Sequence, residues 1–104
     1  MQPADRRKNI ERMLEKTPND PFLLYGRAMT FAAEGRADDA ITHLTALLDA
    51  HQDYHPVHLQ IGQLLAARGD VEEAKQWFEK GSVIAARLGD AKAAGEMQGF
   101  RDSL

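Results

Sequence analysis

The chain has 104 residues, a net charge of -3, 28% charged side chains and no cysteine. That length suits one domain burying roughly 65% of its unfolded surface. The missing thiols exclude disulfides, thiolate metal centres and cysteine nucleophiles, and fit a reducing, cytoplasmic setting. The mild acidity gives no electrostatic reason to expect nucleic acid.

The first twenty residues carry Arg6, Arg7, Lys8, Arg12 and Lys16 with no apolar stretch behind them, so no secretory signal is expected. A helix is expected over 4–15, with Ile10, Met13 and Leu14 on one side. Thr17, Pro18, Asn19, Asp20 and Pro21 break it. A second helix is expected over 21–33, capped by Asp20 and opened by Pro21, whose missing N–H would be orphaned there anyway. Its only charged residue is Arg27. Gly35 stops it, because a glycine past a helix end adopts the left-handed conformation without a Cβ clash.

A third helix, 37–50, has no obvious cap. A fourth, 55–67, lies in the longest run free of Asp, Glu, Lys and Arg, residues 54–67, which is too short to span a membrane, since that takes about 20 residues. Gly69 ends it as Gly35 ends the second. The fifth, 71–87, opens where Asp70 and Glu73 have capping-box spacing. After Gly89, Asp90 is placed to cap a last helix with Ala93, Met97, Phe100 and Leu104 along one face. Gly95 and Gly99 weaken that helix by about 1 kcal/mol each relative to alanine. The expectation is six helices and no strand.

At an offset of 34 the chain matches itself. Ala32/Ala66, Ala33/Ala67, Gly35/Gly69 and Ala40/Ala74 coincide, and the acidic pair Asp38, Asp39 stands against Glu72, Glu73. Large apolar residues exchange at Phe31/Leu65 and Leu44/Phe78, as packing positions tolerate.

A helix-turn-helix period of this length resembles the tetratricopeptide repeat (TPR), in the form of a small bacterial-type TPR protein. The family's pattern falls on Leu24, Ala28, Phe31, Ala40, Leu44, Leu47 and Gln52, then on His58, Gly62, Leu65, Ala74, Phe78, Gly81 and Ala86. The departures are Leu47 at a usually small position, Arg27 at an aliphatic one, and no proline at Gln52 or Ala86. One period earlier, Pro18 lands on the family's proline. The resemblance therefore implies a single domain over 1–104: a half-repeat over 4–20, repeats over 21–54 and 55–88, and a capping helix over 89–104. Its fold would be all-α, a right-handed solenoid of six antiparallel helices.

In that family the first helices of successive repeats line a concave groove. The resemblance puts Phe22, Tyr25, Met29 and Ala33, then Leu59, Gln63 and Ala67, on the groove floor. Met97 belongs either there or against the preceding helix. An uncharged floor implies a protein partner, an apolar peptide or amphipathic helix. The alternatives are a homodimer through the same surface, or ordinary burial. The family's basic clamp for chaperone C-termini is not expected, since Tyr25, Met29, Gln60, Asp90 and Ala94 stand at its positions.

Signals of chemistry are sparse, and no cofactor is implied. His51, His55 and His58 fall at spacings of 4 and 3 with Asp53 between them, but the turn before Pro56 breaks any helix that would align them on a metal. All three are expected as exposed turn histidines, and His43 as a surface residue. Trp77 is expected to pack partly buried beside Phe78. Arg27 must reach water or pair with Glu11 or Glu15, while Arg6, Arg7 and Lys8 read as a solvated face. Ser82 and Ser103 are the only serines, and neither has a histidine near it in the repeat geometry. An enzyme is not expected.

Overall fold

A computed structural model describes residues 1–104. It contains α1 (Pro3–Lys16), α2 (Pro21–Ala33), α3 (Ala37–Ala50), α4 (Pro56–Ala67), α5 (Val71–Arg87) and α6 (Ala91–Asp102), with no strand. Helices α1, α2 and α4 have proline in the first turn. Asp20 accepts from the Leu23 N–H at 3.2 Å, and Asp90 from the Ala93 N–H at 3.0 Å. The capping box at Asp70 does not form. Its carboxylate accepts from Arg68 Nε at 2.7 Å instead, a charged donor that outcompetes the backbone.

Gly35, Gly69 and Gly89 follow α2, α4 and α5 with φ of 76°, 91° and 83°. Helices α1 and α3 end without glycine and in nearly the same conformation: Thr17 has φ/ψ of -133°/73° and His51 -136°/75°. Each donates its N–H to the carbonyl four residues back, on Met13 and Leu47. The 34-residue period is thus carried by the backbone as well as by the side chains.

The chain divides into two compact units, Met1–Gln52 and Asp53–Leu104. In the first, α2 packs on both α1 and α3, and the short connections make neighbouring helices antiparallel. Its core is Leu14, Ala28, Ala40, Leu44 and Leu47, with Thr30 buried on its own helix. A Cβ on Gly26 would meet Ile10 at 3.4 Å, so α1 and α2 touch closely there. Met13, expected on the packed side of α1, is 49% exposed. His51 Nε2 lies 2.7 Å from the Asn19 carbonyl, tying the end of α3 to the α1–α2 turn.

In the second unit α5 is central, packed by α4 and α6. Val57, His58, Ile61, Leu65, Ala74, Phe78, Ala85 and Met97 are buried there. Burying each large apolar side chain contributes about 1.5–3 kcal/mol. Two glycines set the helix spacing: a Cβ on Gly62 would collide with the Phe78 ring, and one on Gly81 with His58 and Met97. The packed stripe of α6 differs from the expected one. Ala94 and Met97 are buried, whereas Phe100 and Leu104 remain about 40% exposed. Phe100 lies over Phe78 with centroids 5.6 Å apart, covering it from the solvent side.

Candidate partner-binding face

Spacings of 3, 4 and 4 place Phe22, Tyr25, Met29 and Ala33 on one side of α2. Ala28 and Thr30, buried in the first unit, flank this stripe on either side. Phe22 is 74% exposed, Ala33 is exposed, and Tyr25 and Met29 are half-buried. A largely bare phenylalanine is a place where bound area would be gained at little entropic cost. On α4, Leu59 and Gln63 are half-buried and Ala67 is exposed, on the side away from buried Val57, Ile61 and Leu65. No charged residue lies in either set.

Met97 does not share this exposure. It is 1% exposed, and its Sδ would stand 2.5 Å from a Cβ on Gly81, so it packs on the helix before it. The glycine leaves a hole that the flexible thioether fills.

The far end of α2 holds a cluster that periodicity does not reveal. The Phe31 ring has the Arg7 guanidinium 4.1 Å from its centroid and that of Arg36 at 4.7 Å, while the His43 ring stacks on it at 4.7 Å and 13°. Arg7 also donates to Glu34 at 2.5 Å and keeps only 13% side-chain exposure. It is therefore part of the packing rather than of a solvated face. The hydrogen bond from Arg7 is the main reason the Glu34 carboxyl sits below its ordinary pKa, against some desolvation.

His43 is half-buried, with its ring stacked on Phe31 rather than free at the surface. Burial first, and the Arg27 charge second, push its imidazole below the ordinary value. Arg27 pairs with neither Glu11 nor Glu15. It lies where its charge acts on His43 of α3, and its Nε is buried without a hydrogen-bond partner.

The three clustered histidines have three separate roles. His51 holds the Asn19 carbonyl, and His55 Nε2 stands 3.5 Å from Asp90 Oδ2. His58 is not an exposed turn residue: it occupies the first turn of α4, is 1% exposed, and has a buried Nδ1 without a partner. Burial, then the charges of Lys80 and His55, push it down to about 4, with the His55 backbone pulling weakly the other way. Trp77 is half-buried against it, ring centroids 5.6 Å apart. No group of three or more His, Asp or Glu side chains is arranged to hold a metal. Ser82 and Ser103 donate to the carbonyls of Glu79 and Phe100 on their own helix. No helix is long and apolar enough to cross a membrane.

A tetratricopeptide repeat family model matches residues 31–95. The chain is similar to the TPR repeat-containing protein PA0015 of Pseudomonas aeruginosa, with 30% identity over 97 residues, 93% of this chain and 92% of that protein. It is also 30% identical over 77 residues to human DnaJ homolog subfamily C member 3, covering 74% of this chain but only 15% of that much longer protein. Among solved structures, that of protein BPP2914 from Bordetella parapertussis resembles it with a TM-score of 0.81 and 29% identity, over 93% of this chain and 84% of that one.

Proposed function

Because the chain belongs to the tetratricopeptide repeat family, whose members are generally protein-interaction modules and non-catalytic scaffolds, we propose that it binds an apolar peptide or the apolar side of an amphipathic helix. In the first unit the binding residues are Phe22, Tyr25, Met29 and Ala33 of α2; in the second, Leu59, Gln63 and Ala67 of α4 form a like set, and neither set carries a charge. The observation that carries this reading is the 74% exposure of Phe22 at the head of a helix side that has no charge. An exposed aromatic among uncharged neighbours is the composition of a binding anchor. In this reading 1–104 acts as one cytoplasmic domain, with half-repeats flanking the repeats at 21–54 and 55–88.

The test is a pair of substitutions. Phe22→Ala with Met29→Ala should abolish retention of the partners that immobilised wild-type protein recovers, while far-ultraviolet circular dichroism stays unchanged. Retention that survives the pair would remove α2 from the site. The same bare phenylalanine also favours a second reading, in which the occupant is another copy of the chain. Sedimentation at micromolar concentration then shows a dimer that Tyr25→Glu dissociates; a monomer at those concentrations rejects it.

A further inference from the structure

We propose that the junction of α4, α5 and α6 is an acid-operated release, in which proton uptake by His58 expels its ring from the seat it shares with Met97 and loosens α6 from α5. The junction is built over one glycine. A Cβ on Gly81 of α5 would lie 2.5 Å from both His58 Cβ and Met97 Sδ, so residues of α4 and α6 meet there over bare backbone. Met97 is 1% exposed and Ala94 6%, and these two are the only buried residues of α6, so the Met97 seat is the buried part of an anchorage that also includes the Phe100–Phe78 stack and the Arg101–Glu79 pair at 2.8 Å.

The seat has no place for an imidazolium. The His58 ring is 1% exposed, its Nδ1 has no hydrogen-bond partner, and one side faces the Trp77 indole. The charges acting on the ring are Lys80 of α5 and His55 of the turn before α4, and both oppose a proton there. The acid that α6 brings to this end of the unit, Asp90, is directed at His55, not at His58. The one favourable contact for the proton is a weak hydrogen bond to the His55 backbone, and a buried cation beside other cations with no more than that must reach water or stay neutral. The strong downward displacement of the His58 pKa has burial as its first cause, in agreement with that geometry.

Trp77 is the only tryptophan of the chain and touches His58, so the full-length protein carries its own reporter. Tryptophan emission and amide NMR spectra recorded from neutral to acid pH should show a one-proton transition. Trp77 emission moves to longer wavelength, and the amides of α6 shift together with the His58 ring resonances. A His58→Leu variant, which keeps every carboxylate that titrates in the same range, should lack the transition. A transition of equal size in that variant overturns the proposal. Should the variant not fold, the wild-type spectra decide. His58 ring resonances that titrate at the ordinary histidine value, or α6 amides that move without them, are equally fatal.

Discussion

Phe78 of α5 lies so close to Gly62 of α4 that a Cβ on the glycine would stand 2.5 Å from the ring carbon Cε1. One repeat earlier the pair is Leu44 and Ala28, both fully buried, so a larger ring is matched by a smaller backbone partner. Gly62→Ala is expected to destabilise the protein by about 1–3 kcal/mol through overpacking, partly offset by alanine's better helix propensity. Urea unfolding measures it. Gly62→Ala with Phe78→Leu should recover much of the loss, and a double variant no better than the single one would show that the ring is not what the methyl strikes.

Glycine-to-alanine changes should have opposite signs at two other positions. Gly35 has φ of 76°, where a Cβ costs about 1–2 kcal/mol. Gly95 lies within α6, and an added methyl there would find no neighbour within 4 Å, so Gly95→Ala should stabilise by up to about 1 kcal/mol. Thermal melts of the two variants should straddle that of the wild type.

The aspartates that precede helices are not equivalent. Asp20 accepts a backbone N–H, and Asp20→Ala should cost about 1 kcal/mol. Asp70 is held by Arg68 and makes no cap, which leaves chiefly its charge near the helix start, worth about 0.3–1 kcal/mol. Equal losses in the two alanine variants would contradict the capping geometry.

The cluster around Phe31 predicts an acid-side slope in stability. The Glu34 carboxyl is lowered from 4.5, so its contribution is present above that value and lost as pH falls through the lower, folded one. Glu34→Gln should flatten the stability profile below about pH 4.5 and leave it unchanged in slope near neutrality. The His43 imidazole, lowered from 6.5 chiefly by burial, adds stability above that value and loses it as pH falls below. Replacing His43 by Phe should reduce the slope on the acid side of that pH.

Helix boundaries were legible because their signals are local. Pro21 with Asp20, and the glycines at 35, 69 and 89, fix ends within a few residues of sequence, and α2, α3 and α5 fall on the expected spans. The cluster around Phe31 was not legible: Arg7 and Glu34 are 27 residues apart, and no periodicity links them. The pattern misplaces His58, and leaves Met97 between two positions, for a related reason. Both owe their burial to a missing side chain, that of Gly81, and a hole leaves no mark in a hydrophobic pattern. In α6, Gly95 and Gly99 thin the apolar pattern so far that more than one stripe fits it.

Asp90 divides its two oxygens between unlike tasks: Oδ1 receives the Ala93 N–H at 3.0 Å, and Oδ2 faces His55 Nε2 at 3.5 Å. Asparagine in its place retains an oxygen for the backbone while surrendering the negative charge that faces His55, so α6 would keep its start and lose its charged link to the turn before α4. One atom thereby separates keeping a helix started from tethering it to its neighbour.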